Sequence, residues 1–210
     1  MKKNLASQVG FWASIVLVLL GLIYILLLIY TISMVGFDSA LPDFVQLVAS
    51  VLTLVTAPVL IILFTAVRFV HQGDNKIFGS LGVSFIVLFA AAVSINRFVY
   101  LTIIHPSLPD IPADLTRFLP YGPGSVMFAL EILGWGFFSS LAAVCVAPLF
   151  SGSPRNNAIR WLFLLYALLS FMSIISFAAN IPIPFGPIAW GPILLVLCVL
   201  LSVYFRGLDQ

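Results

Sequence analysis

Long apolar runs, separated by short polar or proline-rich breaks, set the pattern of this chain. A helix that crosses a membrane needs about 20 mainly apolar residues, and six runs have roughly this length. Backbone polar groups inside lipid must be satisfied within the segment, which a helix achieves. The pattern therefore predicts an all-α integral membrane protein, a bundle of six transmembrane helices in a single transmembrane domain, residues 1–210. The predicted spans are residues 10–35, 48–70, 79–104, 125–150, 160–180 and 187–205.

Prolines interrupt this pattern in two places. Pro58 lies near the middle of the second span and predicts a kink there, because proline removes one backbone hydrogen bond. The segment NIPIPFGPIAWGP, residues 180–192, breaks the chain repeatedly before the last apolar run. It predicts either a re-entrant turn or a sixth helix that begins near Pro187.

Composition supports membrane insertion. The chain is 62% hydrophobic and 8% charged, whereas a soluble domain is usually about 45–50% apolar and about 25% charged. The chain therefore lacks the polar residues to cover a water-exposed globule, and we expect membrane lipids to surround it. Residues 11–30 form an apolar run longer than the core of a signal peptide, and no A-x-A site follows it. We therefore expect this run to be retained as the first helix.

The distribution of lysine and arginine predicts an orientation. Cytoplasmic loops carry an excess of these residues, and six spans place both termini on one side. With that side in the cytoplasm, Arg117 alone falls in an outer loop and Arg97 falls within a span. The remaining cations all fall inside: Lys2, Lys3, Arg68, Lys76, Arg155, Arg160 and Arg206. Both termini are therefore predicted to be cytoplasmic.

Two ionisable residues lie deep within the predicted spans. Arg97 lies seven residues before the end of the third span at Ile104, and Glu131 lies seven residues after the fourth begins near Gly124. At a rise of about 1.5 Å per residue, both lie roughly 10 Å below the same membrane surface. Charges inside a membrane almost always face the bundle interior and are commonly paired. Arg97 and Glu131 are therefore predicted to form an ion pair, with a bidentate geometry that the planar guanidinium favours.

Polar and aromatic residues near this pair predict an outward-facing pocket. Residues three or four apart share a helix face, which places Trp135 on the face of the buried acid and Tyr100 on the face of Asn96. His105 and Asn180 lie near the outer ends of the third and fifth spans and can join the same site. The candidate binding residues are Arg97, Glu131, Asn96, Tyr100, Trp135, His105 and Asn180.

Three functions remain open for this site. In the first, the pocket binds or transports a small molecule or lipid, with Arg97 holding an anionic group and Glu131 balancing it. In the second, the chain is a non-catalytic membrane subunit or scaffold, and the Arg97–Glu131 pair joins two helices. In the third, the chain is an intramembrane enzyme that acts on a lipid, with Glu131 as acid or base.

Other chemistry has little support in the sequence. No protease, hydrolase or phosphate-loop motif is present, so we expect no catalytic residue of these classes. The group His105, Asp110 and Asp114 matches no strong metal signature. No predicted span carries a lysine for a retinal Schiff base, or a pair of histidines for haem. We therefore expect no metal and no cofactor.

The sequence also bears on partners and location. No basic run is dense enough to bind a nucleic-acid backbone. Six short spans are few for a complete transporter, so we expect a homo-oligomer or a larger membrane complex. Short loops and a compact chain favour a multi-pass protein of a cell membrane, specifically a bacterial inner membrane.

Overall fold

The computed structural model describes residues 5–36, 42–71, 75–108, 110–119, 124–179, 181 and 183–208. Within these ranges the chain is helical, and six helices are long and apolar enough to cross a membrane, as the sequence predicts. We label them α1 to α6: Leu5–Met34, Asp43–Val70, Lys76–Ser107, Val126–Leu149, Pro154–Ala178 and Phe185–Leu208.

Several helices begin earlier than the hydropathy pattern predicts, because polar residues form their first turns. Helix α5 begins at Pro154 rather than Arg160, since the Ser153 side chain caps it by accepting a hydrogen bond from the backbone N–H of Asn156 at 3.2 Å. Asp43, predicted to lie in a loop, lies in the first turn of α2, where the helix dipole favours an acid. A lysine also occupies the first position of α3, in contrast to the prediction of lysine-free spans.

The six helices form a closed ring. Each helix packs against the helices before and after it in the chain, and α6 packs against α1 to complete the circle. The Ser7 hydroxyl of α1 donates to the backbone carbonyl of Phe205 in α6 at 2.6 Å, which joins the two ends of the chain. Helix α1 is the least buried of the six. We call the end where α3 ends and α4 begins the His105 end, and the opposite end the Arg155 end.

Aromatic residues seal the ring at the Arg155 end. His71, just after α2, stacks on Tyr204 of α6 with ring centroids 6.0 Å apart. The Tyr204 hydroxyl lies 3.2 Å from His71 Nε2. Phe150 and Phe163 pack together beside them, with centroids 5.6 Å apart. The interior at this end is therefore filled by side chains.

Three segments of π-helix occur in the half of the ring nearer the His105 end. They cover Tyr100–Ile104 in α3, Ile132–Phe138 in α4 and Ala189–Ile193 in α6. A π segment inserts an extra residue per turn and occurs frequently at functional sites. Helix α6 begins at Phe185, two residues before Pro187, and its π segment contains Pro192. Pro58, in contrast to Pro192, lies within a continuous α-helix, and no π segment accompanies it in α2.

The connection between α3 and α4 covers part of the His105 end. Its 3₁₀-helix Ala113–Phe118 packs on a small buried cluster of Tyr100, Ile104 and Met127. Leu115 is among the connection residues that make this contact. The polar, proline-containing connection is therefore partly anchored to the bundle.

Glycine allows α3 and α4 to approach closely, and this packing predicts the effect of a substitution. A Cβ at Gly82 would lie 2.5 Å from Val146 Cγ1 and 3.4 Å from the carbonyl oxygen of Ala142. We expect Gly82→Leu to lower the free energy of unfolding by about 1–3 kcal/mol through overpacking. Val87→Leu is the matched control, because Val87 lies on the exposed face of the same helix. Thermal unfolding in detergent measures both variants, and equal melting temperatures would contradict this account of the packing.

Candidate functional site

Arg97 and Glu131 form an ion pair inside the helix ring. Arg97 Nη2 donates to Glu131 Oε1 at 2.6 Å, and the two residues are only 6% and 7% exposed. Asn96 Nδ2 donates to the second carboxylate oxygen, Oε2, at 2.6 Å. The predicted pairing is confirmed, but the expected bidentate geometry is not: the two carboxylate oxygens are shared between a guanidinium and an amide.

The position of the pair depends on a close approach of α3 and α4. A Cβ at Gly134 would lie 2.6 Å from Val93 Cγ1, so a larger residue would have to displace Val93 of α3. Gly134 lies one turn from Glu131, and Val93 lies one turn from Arg97. A larger residue at this crossing would separate the charged groups, which would leave each of them buried without its partner at a cost of several kcal/mol.

Asn96 contributes a second polar atom to this cluster. Its side chain is 2% exposed, and its Oδ1 is buried with no hydrogen-bond partner among the described residues. A buried acceptor without a donor costs about 1–3 kcal/mol. Asn96 therefore binds the Glu131 carboxylate through Nδ2, and the same amide carries an acceptor, Oδ1, that no described residue uses.

The ion pair lines a cavity of about 110 Å³ inside the ring. Five of the six helices supply its wall. Apart from Arg97 and Glu131, the lining is mostly apolar or aromatic, with two threonines and one tyrosine. The remaining lining residues are Leu17, Leu20, Gly21 and Tyr24 of α1; Ala49, Leu52, Thr53 and Thr56 of α2; Phe128 and Trp135 of α4; and Trp190, Gly191, Leu194 and Leu195 of α6.

Two tryptophans form one wall of this cavity. The rings of Trp135 and Trp190 lie 5.6 Å apart, and Trp190 Nε1 donates to Ser170 Oγ at 3.1 Å, which fixes its indole. One turn further along α4, Ser139 accepts a hydrogen bond from the Tyr166 hydroxyl at 2.9 Å. Ser139 and Tyr166 line a second void of only about 10 Å³, nearer the Arg155 end.

A separate polar group lies at the His105 end. The Tyr100 hydroxyl donates to Asp43 Oδ1 at 3.2 Å, and His105 Nε2 lies 3.5 Å from Asp43 Oδ2. Asp43 is mostly exposed, whereas Tyr100 is fully buried. These contacts join the first turn of α2 to the last turns of α3.

The predicted site residues thus fall into two groups. Arg97, Glu131 and Trp135 line the cavity, and Asn96 supports it. The predicted residues Tyr100 and His105 contact Asp43 at the end of the bundle and do not line the cavity. Asn180 lies outside the described residues.

Sequence reasoning missed the contribution of α6. Trp190 was not among the candidate site residues, but it packs on Trp135 in the cavity wall. A signal was present, because the dipeptide Trp-Gly occurs in two spans, at 135–136 and 190–191. Both copies lie within π segments. The sequence alone does not predict where π-helix occurs.

In comparisons with known proteins, no family model matches this chain, and neither a curated protein nor a solved structure shows significant similarity to it.

The contact between Arg97 and Glu131 predicts coupled effects on stability. Removing one partner leaves the other charge buried, so we expect Arg97→Ala and Glu131→Ala each to lower the free energy of unfolding by about 3 kcal/mol. The double variant should cost little more than either single variant. Unfolding of all three in the same detergent measures the coupling.

Arg68→Ala provides the control for loss of an arginine. Arg68 is partly exposed, and its Nε donates to Ser80 Oγ at 2.8 Å rather than to an acid. We expect this substitution to change the free energy of unfolding by less than about 1 kcal/mol. If the double variant lost as much free energy of unfolding as Arg97→Ala and Glu131→Ala lose together, the pairing would be contradicted.

Proposed function

We propose that this chain is a multi-pass membrane protein that binds a small amphiphilic molecule in the cavity beside Arg97 and Glu131. The observation that carries the proposal is the position of a buried ion pair on the wall of an otherwise apolar and aromatic cavity. Ligand sites usually combine an apolar lining with a few convergent polar groups. Charged residues inside a membrane bundle commonly mark such sites.

The size of the cavity limits the ligand. A cavity of about 150 Å³ in a protein core accommodates benzene, and the present cavity measures about 110 Å³. A whole lipid does not fit within this volume. We therefore propose a small solute with one polar group and a short apolar part.

The wall chemistry indicates how such a solute would lie. Its polar group would contact the ion pair, and its apolar part would pack on Trp135 and Trp190, whose rings are held in place by neighbouring contacts. Thr53 and Thr56 of α2 belong to the same lining. Rigid aromatic walls with few polar anchors favour orientation-specific binding.

Binding is favoured over transport in this conformation. Beyond the two tryptophans the void is only about 10 Å³, which holds at most one water molecule. Aromatic packing around His71 then fills the Arg155 end. We therefore propose a receptor or binding subunit, and transport would require a second conformation.

A structural role for the ion pair is the second candidate. Both carboxylate oxygens of Glu131 accept hydrogen bonds from α3, an arrangement that would also hold two helices together. The two roles are compatible, because the pair can join α3 to α4 and still line a cavity. They differ in whether a solute stabilises the protein.

Charge distribution supports the proposed orientation. Five arginines and lysines occur on the helix ends at the Arg155 end, which the positive-inside rule assigns to the cytoplasm. They are Arg68, Lys76, Arg155, Arg160 and Arg206. The His105 end would then face outward, and the cavity would lie in the outer half of a cell membrane, proposed to be a bacterial inner membrane.

Solute binding predicts a stabilisation that depends on free space in the cavity. Purified protein would be titrated with propanesulfonate, butylammonium and butanol, which carry anionic, cationic and neutral polar groups on short chains. We expect at least one of them to stabilise the protein by about 2–3 kcal/mol when its concentration is near 100 times Kd. Melting temperature measures the effect, and tryptophan fluorescence follows it because Trp135 and Trp190 line the cavity.

A matched pair of variants locates the effect. Thr53→Leu fills the cavity, whereas Thr65→Leu makes the same change on α2 away from the lining. We expect stabilisation to persist in Thr65→Leu and to be lost in Thr53→Leu. The proposal fails if none of the three solutes stabilises the wild type, or if Thr53→Leu responds as strongly as Thr65→Leu.

A further inference from the structure

We propose that the solute is an anion, and that it binds together with one proton that neutralises Glu131. This inference rests on the proposed binding function and deepens it. The anionic group would take the place of the Glu131 carboxylate at Arg97, and the proton would come from bulk water. Binding would therefore be coupled to pH, with affinity increasing as pH falls.

The ion pair favours anions over cations because its two members differ in their proton chemistry. Arginine does not lose its proton in proteins, whereas a carboxylate can gain one. A cation could reach Glu131 only by competing with Arg97, which would leave two positive charges beside one carboxylate. An anion at Arg97 meets no such obstacle, because Glu131 can become neutral.

Charge balance within the membrane requires the proton. The site itself holds one positive and one negative group, which are 6% and 7% exposed. Adding an anion alone would place two negative charges against one guanidinium in a poorly solvated site, where unbalanced charge is costly. Adding the anion together with a proton leaves the net charge of the site unchanged.

Asn96 provides an independent observation in favour of two protonation states. In the ion pair its Nδ2 donates to Glu131 Oε2 at 2.6 Å, and its buried Oδ1 has no hydrogen-bond partner among the described residues. A protonated carboxyl group needs an acceptor for its O–H. Rotation of the amide would bring Oδ1 to the carboxyl, so that one side chain serves both states.

Other titratable or charged groups on the helices around the cavity could contribute to a pH dependence, and their effects must be separated from that of Glu131. These groups are Tyr24 on α1, Asp43 on α2, Arg97, Tyr100 and His105 on α3, Tyr166 on α5 and Cys198 on α6. Only Tyr24 and Arg97 share the cavity lining with Glu131. His105, the histidine in this set, contacts Asp43 rather than the cavity lining.

Propanesulfonate is the probe for this proposal, because its charge does not change over the pH range of interest. In wild-type protein in detergent, we expect Kd to fall by about tenfold for each unit decrease in pH while the empty protein keeps Glu131 ionised, the slope for one coupled proton. Glu131→Gln should bind propanesulfonate without pH dependence, because its amide mimics the neutral acid. His105→Gln should keep the wild-type pH dependence.

A second measurement on the wild type keeps the proposal testable if Glu131→Gln does not fold. In weakly buffered detergent solution with a pH indicator, binding of one propanesulfonate should take up one proton. Binding without proton uptake, or a pH dependence that disappears in His105→Gln, would overturn the coupling. Binding of butylammonium or butanol but not propanesulfonate would overturn the anion assignment and leave the proposed function intact. Failure of all three solutes to bind would instead overturn the proposed function itself.

Discussion

The contact between Arg97 and Glu131 is the interaction on which the rest of this structure depends. Two charges inside an apolar bundle must face each other, because neither can lie on the apolar outer face of its helix without a large desolvation penalty. This constraint fixes how α3 lies against α4, and it requires a glycine at the crossing, where a Cβ at Gly134 would lie 2.6 Å from Val93. It also directs both helices toward the interior of the ring. A π segment follows each charged residue, at Tyr100–Ile104 in α3 and at Ile132–Phe138 in α4.

The ring of helices explains why a cavity lies beside the pair. Six helices that pack mainly against their neighbours around a circle leave an axial space, which large side chains must fill. Phe150, Phe163 and Tyr204 are among the residues that fill it at the Arg155 end. Nearer the His105 end, α1 and α2 contribute Gly21, Ala49 and threonines to the lining, and these small residues leave about 110 Å³ open. The charged pair and the free space therefore occur at the same level of the bundle.

Sequence reasoning recovered the long-range features and missed the local ones. Span length gave six helices, and equal depth in adjacent spans gave the Arg97–Glu131 contact, because both depend on simple geometry along a helix. The early start of α5 depends on the Ser153 cap, which hydropathy does not report. Trp190 could not be placed in the cavity wall, since a π segment shifts the face on which it lies. The sharing of Glu131 between Arg97 and Asn96 depends on side-chain geometry that spacing alone does not determine.

Infrared difference spectroscopy of Glu131 tests the central claim most directly, namely that an ion pair opens to admit an anion and a proton. The carbonyl stretch of a protonated carboxyl group is distinct from the bands of a carboxylate. We expect no such band from Glu131 in the protein without added propanesulfonate at neutral pH, and we expect the band to appear when propanesulfonate is added. The band should be absent in Glu131→Gln. A protonated Glu131 already present in the empty protein, or a carboxylate that stays ionised with propanesulfonate bound, would contradict the account.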